Sequence, residues 1–174
     1  TVAGGGVWRH NQAGSLGGGL SMTSSAVSMP NLSEFTSNTA GTGGAFGMLN
    51  TTLLVDGSFN CTNNSARGSG DLVRGGAIVS YWSVIRVAGV ASLDGNEAND
   101  GGGLYLARST LQVSNELRCA ENTAAVNGGA VYLLLSTLTI NGLAYFSRNV
   151  ASEGGGAAFV GDESAVDIAG DASW

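Results

Sequence analysis

The chain has 174 residues, including 29 glycines and a single proline, and 43% of its residues are apolar. This apolar content is too high for a disordered segment, and no apolar run approaches the roughly 20 residues of a membrane-spanning helix. All seven basic residues are arginine and the net charge is −6, which argues against nucleic acid and against anionic membranes as partners. We therefore expect no membrane insertion by this segment.

The clearest pattern along the chain is a glycine pair followed by a small residue, which occurs six times. The steps between successive copies are 26, 32, 26, 27 and 26 residues. The copies are Gly17-Gly18-Gly19, Gly43-Gly44-Ala45, Gly75-Gly76-Ala77, Gly101-Gly102-Gly103, Gly128-Gly129-Ala130 and Gly154-Gly155-Gly156. The one long step is explained by an inserted loop, Arg67 to Arg74, since insertions in repeat proteins fall in turns.

A second motif keeps the same phase: a bulky or apolar residue, two further residues, Asn, one further residue and Ala. Its copies are Trp8/Asn11/Ala13, Phe35/Asn38/Ala40, Cys61/Asn64/Ala66, Leu93/Asn96/Ala98, Cys119/Asn122/Ala124 and Phe146/Asn149/Ala151. Trp174 stands where a seventh bulky residue belongs. Two motifs in phase predict one repeat domain over 1–174.

Between the motifs, apolar residues alternate with other residues, which predicts strands with one buried face. After the glycines the expected inward pairs are Leu20/Met22, Phe46/Met48, Ile78/Ser80, Leu104/Leu106, Val131/Leu133 and Ala157/Phe159. After the next turn they are Val27/Met29, Leu53/Val55, Ile85/Val87, Leu111/Val113, Leu138/Ile140 and Val166/Ile168. Each repeat therefore holds three short strands, the last of which ends at the bulky residue.

A unit of this size cannot bury its apolar face alone, but stacked copies can, at the spacing of paired strands of about 4.8 Å. The sequence thus predicts an all-β fold, a right-handed parallel β-helix of about six rungs, where a rung is one turn of the solenoid. The Asn of each rung is expected to adopt left-handed backbone at a corner and to bond its neighbours along the axis. A polar ligand-binding row is the less favoured interpretation. The glycine pairs are expected to supply positive φ or close packing.

The two cysteines, Cys61 and Cys119, fall in one column two rungs apart, about 9–10 Å at the strand spacing. This separation is too long for a disulfide, which predicts two buried free thiols. A disulfide to an adjacent chain is the less favoured alternative.

Few residues suggest catalysis, and we expect neither enzymatic activity nor a cofactor. His10 is the only histidine and falls beside a turn. Asp94, Glu97 and Asp100 are weak candidates for a low-affinity cation site, because their spacing is not that of a calcium loop. The denser acidic group Asp162, Glu163, Asp167 and Asp171 is interpreted as a solvated end.

Four Asn-x-Ser/Thr sequons are predicted to be accessible for N-glycosylation, and none of them uses a ladder asparagine. They begin at Asn31, Asn50, Asn60 and Asn63. Every ladder Asn is followed two residues later by Ala, which excludes a sequon.

The pairing of Gly-Gly-Ala-apolar with Phe-x-x-Asn resembles the repeat of the polymorphic outer membrane protein family, over the whole chain. Phe stands in the second motif only at Phe35 and Phe146. The family is known from chlamydial autotransported adhesins and from surface proteins of algae and other microbial eukaryotes. The resemblance implies a parallel β-helix at a cell surface and an adhesive role.

The favoured function is an extracellular or cell-surface structural or adhesive rod, or a filament building block. The alternative is a polysaccharide-active enzyme or carbohydrate-binding module on a pectate-lyase-like β-helix, which would need grouped outward carboxylates or a row of outward aromatics. Candidates for such a row are Tyr81, Trp82, Tyr105, Tyr132 and Tyr145. Tyr105 and Tyr132 are expected to share a column with Val79 and Ala158. The flat outward threonine array that ice binding would need is not expected.

The first residues, Thr1 to Trp8, align with Asp167 to Trp174, so both ends have the same phase of the repeat. The chain begins without Met or a signal-like segment, and we expect a processed or excerpted piece. Self-association head to tail or flanking repeats are the expected neighbours, with host-cell or matrix glycans and proteins as further partners.

Overall fold

The computed structural model describes residues 5–68 and 72–174. The segments 1–4 and 69–71 lie outside this description, and with them fall half of the Thr1–Trp8 alignment and part of the inserted loop. The described residues form 24 strands, numbered in chain order, and every pairing between them is parallel. The chain is a parallel β-helix of about six rungs, as predicted.

The strands form four sheets that run along the axis. Sheet 1 contains β1 (Val7–Arg9), β4 (Ser33–Thr36), β8 (Phe59–Thr62), β12 (Val90–Asp94), β16 (Glu116–Ala120), β20 (Leu143–Ser147) and β24 (Ala172–Ser173). Sheet 2 contains β2 (Leu20–Thr23), β6 (Phe46–Leu49), β10 (Ile78–Tyr81), β14 (Leu104–Ala107), β18 (Val131–Leu134) and β22 (Ala158–Val160). Sheet 3 contains β3 (Ala26–Met29), β7 (Thr52–Val55), β11 (Val84–Val87), β15 (Thr110–Val113), β19 (Thr137–Ile140) and β23 (Ala165–Ile168). Sheet 4 contains β5 (Thr39–Ala40), β9 (Ser65–Ala66), β13 (Glu97–Asp100), β17 (Thr123–Asn127) and β21 (Val150–Ala151).

Sheet 4 was not predicted: it adds a fourth strand to rungs for which the sequence pattern predicts three. Its strands begin directly after the ladder asparagines, where the backbone keeps bonding the neighbouring rung: the Glu97 amide donates to the Asn64 carbonyl at 3.0 Å. These strands are short and mostly small or polar, so they have no apolar alternation by which the sequence could mark them.

The core is one continuous cluster along the axis, lined by the inward residues of sheets 1, 2 and 3. The predicted bulky column is confirmed by register, since Leu93 pairs with Cys61 on one side and Cys119 on the other. Aromatic rings stack near its two ends, with ring centroids 4.4 Å apart for Trp8 and Phe35 and 4.7 Å apart for Phe146 and Trp174. Both thiols are free and fully buried, as predicted.

The glycine turns require positive φ at the first glycine of each pair and leave no room for a side chain at the second. A Cβ on Gly102, for example, would stand 2.5 Å from the Thr123 carbonyl oxygen, in sheet 4. The expected glycine roles are therefore both confirmed. In the sixth copy the positive φ falls on Gly155, not Gly154, so the last rung is shifted by one residue from the predicted phase.

This shift reverses the predicted orientation of the last strand of sheet 2. Ala158 pairs with Val131 and Phe159 pairs with Tyr132, so Phe159 continues an outward column and does not face the core. Ala157 packs against the core as predicted, whereas the inward orientation predicted for Phe159 is wrong, and so is the placement of Ala158 beside the tyrosines.

The asparagine ladder runs along the axis as predicted. From Asn38 onward, each side-chain oxygen accepts two bonds from the Asn of the preceding rung, one from its backbone amide and one from its side-chain amide; the side-chain bonds are 2.9–3.1 Å long. Each Nδ2 from Asn38 onward also donates to a carbonyl of the bulky column, as Asn96 does to Cys61 at 3.0 Å. Four ladder members are fully buried: Asn38, Asn64, Asn96 and Asn122.

Asn149, the last ladder member, bonds its one ladder neighbour as predicted. Its side-chain oxygen accepts both bonds from Asn122, at 3.0 and 2.9 Å, and its Nδ2 donates to the Cys119 carbonyl at 2.8 Å. The sequence has no asparagine after it, so Asn149 bonds a ladder neighbour on one side only and is half-buried.

The left-handed backbone at this corner belongs to the residue before the asparagine, not to the asparagine itself. These residues are His10, Ser37, Asn63, Gly95, Glu121 and Arg148, with φ between 53° and 66°. The prediction of left-handed backbone is therefore wrong for the ladder members themselves: Asn11, Asn38, Asn64, Asn96, Asn122 and Asn149. The chain turns at the residue before the asparagine, and the Asn side chain therefore points inward to its ladder neighbours along the axis.

A second ladder, of hydroxyl groups, lies at the corner between sheets 2 and 3. Its members are Ser25, Thr51, Ser83, Ser109, Ser136 and Ser164. Each hydroxyl donates to the carbonyl two residues earlier, and from Ser83 onward each also accepts the backbone amide of the preceding rung, at 3.0–3.1 Å. This column was not predicted from the sequence, although its Ser and Thr residues recur with the same period as the glycines.

Replacing Asn96 by Ala should lower the free energy of unfolding by about 1–3 kcal/mol, because the backbone amide of Asn64 and the carbonyl of Cys61 lose a partner inside the core. Chemical denaturation of both proteins measures the change.

The matched control is Asn11→Ala, since Asn11 belongs to the same ladder but is exposed. Its cost should stay below about 0.5 kcal/mol. Equal effects of the two substitutions would contradict the importance of the buried ladder.

Candidate functional site

The outer face of sheet 2 holds the largest group of aromatic side chains on the surface. Tyr105, Tyr132 and Phe159 stack in one column, with centroids 4.8 Å apart in both steps and ring planes within 20°. Tyr105 is 2% exposed, and burial raises its pKa to about 12, although Arg74 acts in the opposite direction. The column is therefore a second apolar cluster, outside the main core.

A row of side chains crosses this face from the glycine turn to the hydroxyl corner. The guanidinium carbon of Arg74 lies 4.9 Å from the centroid of Tyr105, and Tyr105 lies 6.0 Å from Tyr81. Trp82 follows at 6.1 Å from Tyr81, and the guanidinium carbon of Arg108 lies 5.8 Å from the Trp82 centroid. We call this row, Arg74–Tyr105–Tyr81–Trp82–Arg108, the cross-sheet strip.

Four of the five aromatics named from the sequence meet on this face. The fifth, Tyr145, lies on sheet 1 and is 41% exposed. Phe159 was not among the candidates, because its predicted orientation was inward. The stack uses ring faces that a sugar would otherwise contact, so the accessible aromatic surface is mainly that of Trp82, which is 55% exposed.

The three residues considered as a weak cation site, Asp94, Glu97 and Asp100, each interact with a different part of the protein. Asp94 accepts bonds from the Ser92 hydroxyl at 2.6 Å and the Ala120 amide at 3.1 Å, while Glu97 lies 3.7 Å from Arg67. Asp100 accepts a bond from the Asn127 amide at 3.3 Å. Within the described ranges, no group of three or more possible ligands forms a metal cluster.

The remaining titratable candidates lie at exposed turns and ends. The acidic residues Asp162, Glu163, Asp167 and Asp171 are all exposed on the last rung. His10 is an exposed corner residue with a φ of 55°. Neither feature has the shared groove that acid–base chemistry on a sugar requires.

The four sequon asparagines lie at the surface of the first rungs. Asn31, Asn50 and Asn63 are exposed, whereas Asn60, in β8, is half-buried. Asn50 and Asn63 both occupy left-handed corners.

Comparison of the chain with protein-family models, with curated proteins and with solved structures finds no match in any of the three. The part of the chain that the structure describes contains no helix that could cross a membrane. The fold therefore defines the class of protein: a parallel β-helix with two polar ladders inside and an aromatic face outside.

Burial should make both cysteines unreactive in the native protein. It raises the pKa of Cys61 and of Cys119, and the Asp94 carboxylate adds to the rise. The thiols stay neutral when folded but ionise near pH 8.5 when unfolded, so this contribution to stability is present below about pH 8.5 and is lost as the pH rises above it.

Thiol labelling at pH 8 should accordingly be negligible until denaturant unfolds the chain, when both cysteines react. The free energy of unfolding should also fall between pH 8 and 10, and less so in a Cys61→Ala/Cys119→Ala variant. Rapid labelling of the native protein would contradict the buried position of the column.

Proposed function

We propose that this chain is an extracellular structural or adhesive rod, either part of a cell-surface protein or a building block of a fibril. The proposal assigns it no catalytic residue and no cofactor. The observation that supports it most is axial continuity: sheets 1, 2 and 3, the core and both ladders extend through every described rung. The four fully buried asparagines serve this continuity.

The resemblance to the polymorphic outer membrane protein repeat supports the same proposal, since its two motifs correspond to the glycine turn and the asparagine ladder. Neighbours in such a rod would be flanking repeats or a second copy stacked head to tail. Trp174 stacks on Phe146 with ring centroids 4.7 Å apart, so the aromatic stacking of the bulky column continues into the last rung.

A surface location is tested by labelling intact cells of the source organism with antibodies against this chain, before and after permeabilisation. We expect full labelling on intact cells and loss of the signal after brief external protease treatment. An intracellular protein labelled in parallel is the control. Labelling that appears only after permeabilisation would overturn the proposal.

If the protein passes through a eukaryotic secretory pathway, glycans should occur at some of Asn31, Asn50, Asn60 and Asn63, with the exposed sites preferred over Asn60. Mass spectrometry of glycopeptides, with and without enzymatic removal of N-glycans, measures the occupancy. A glycan on Asn38 or Asn122, which are fully buried, would be incompatible with this fold.

The second candidate function is carbohydrate binding, and the cross-sheet strip is the observation that favours it. Exposed Trp with nearby Arg and Tyr is a composition suited to sugar recognition, because ring faces contact C–H groups while guanidinium groups bind oxygens. A polysaccharide-active enzyme is less well supported, since the described carboxylates are dispersed over separate corners.

A further inference from the structure

We propose that the cross-sheet strip binds an anionic glycan, a linear polysaccharide that has carboxylate or sulfate groups. The inference rests on the carbohydrate-binding candidate function above and names its ligand class. It depends on three features of the strip: two arginines that form no ion pair with a described carboxylate, their position over aromatic rings, and an exposed tryptophan that the fold does not require.

The arginines of the strip differ from most others in the protein. Four arginines form ion pairs with a neighbouring acid: Arg9 with Glu34, Arg67 with Glu97, Arg118 with Asp94 and Arg148 with Glu121. Arg74, Arg86 and Arg108 have no such pair with any described carboxylate. Two of these three lie at opposite ends of the strip, which places two positive charges on one face of an acidic protein.

The ring contacts prepare both guanidinium groups for anions. A guanidinium that lies over an aromatic ring loses side-chain freedom but keeps its in-plane N–H donors, which match carboxylate and sulfate oxygens in a bidentate geometry. Arg108 lies over Trp82 and Arg74 over Tyr105. Less conformational entropy is therefore lost when an anion binds. The Nε of Arg74 is buried, so Arg74 can meet an anion only through its terminal amino groups.

Trp82 is costly for the backbone and is not needed by the fold. It occupies a left-handed corner with a φ of 48°, a conformation that is unfavourable for a bulky residue. The corresponding corner one rung earlier is filled by Asn50, with a φ of 50°. The same corner of the other rungs is also left-handed, at Ser24, Asn50, Arg108, Leu135 and Glu163. Because residues as small as Ser and Asn fill this corner, the fold does not require the large ring of Trp82.

The shape of the strip favours a linear glycan over a folded protein. The row crosses the sheet from one edge to the other, and the rings of Tyr132 and Phe159 continue it along the axis at Tyr105. A stable protein interface buries about 800 Å² on each partner, whereas a single sugar chain can contact the strip alone. Its sugar rings would pack on Trp82 while its acidic groups bind Arg74 and Arg108.

The test measures binding of the intact chain to immobilised polygalacturonate and dextran sulfate, with uncharged dextran and poly-glutamate as comparison probes. We expect binding to at least one of the two anionic glycans, weaker binding at higher salt, and none to dextran. Weaker binding to poly-glutamate is expected, because a peptide offers charge without sugar rings.

Three variants locate the site. Arg108→Gln and Trp82→Asn should each weaken glycan binding at least about fivefold, which corresponds to the loss of one charged or aromatic contact. Arg86→Gln is the matched control, because Arg86 is also exposed and unpaired with described acids but lies on sheet 3; it should change binding less than about twofold. Asn at position 82 follows the example of Asn50, so the variant should melt no earlier than the parent protein.

Equal losses in Arg86→Gln and Arg108→Gln would overturn the site, because net charge alone would then explain binding. Poly-glutamate bound as tightly as the glycans, with the same dependence on Trp82, would replace the glycan by an acidic protein. Absence of binding to both anionic glycans would overturn the inference but leave the rod standing, since the cell-labelling experiment does not involve the strip.

Discussion

The buried asparagine ladder is the interaction on which the rest of this structure depends. A primary amide has both donors and an acceptor, so identical side chains can satisfy one another in an unlimited row, which a carboxylate cannot do. The inner ladder members also hold a carbonyl of sheet 1 and accept the backbone amide of a neighbour, as Asn96 does for Asn64 at 2.9 Å. One side chain thus satisfies backbone groups that the corner would otherwise leave unpaired in the core.

The hydroxyl ladder satisfies backbone groups in the same way at the opposite corner, with the smaller side chains of Ser and Thr. From Ser83 onward, each hydroxyl accepts the backbone amide of the preceding rung. It also donates to a carbonyl of its own rung, as Ser109 does to Ala107 at 2.9 Å. Because side chains of the two ladders satisfy the backbone groups at both corners, the outward-facing residues are not needed to hydrogen-bond the backbone there. Charges there pair across rungs, and aromatic rings stack at the rung spacing, so surface chemistry varies while the backbone does not.

Much of this fold was visible in the sequence because a solenoid repeats its requirements at a fixed period. The glycine and asparagine motifs predicted the rungs, the bulky column and the two free thiols. Sheet 4 and the position of the left-handed corner were missed, because neither has an apolar periodicity.

The predicted phase of the last rung was wrong by one residue, because three consecutive glycines, 154–156, and the two alanines after them allow two phases. Stacking of Phe159 on Tyr132 distinguishes them, and a single sequence does not show a stack. The aromatic candidates were identified, but their assembly with Arg74 and Arg108 depends on neighbours from different rungs.

The inserted loop has a consequence for engineering. The step that contains it is 32 residues long instead of 26, yet the ladder bonds that span it are ordinary: Asn64 to Asn96 measures 3.1 Å and Thr51 to Ser83 measures 3.0 Å. Rung height is therefore set by axial bonding and does not depend on how much chain separates one corner from the next. The turn between β9 and β10 is consequently a place where a foreign segment can be grafted, and stacked copies of such a repeat would display that segment at regular nanometre intervals along one edge of a stiff scaffold.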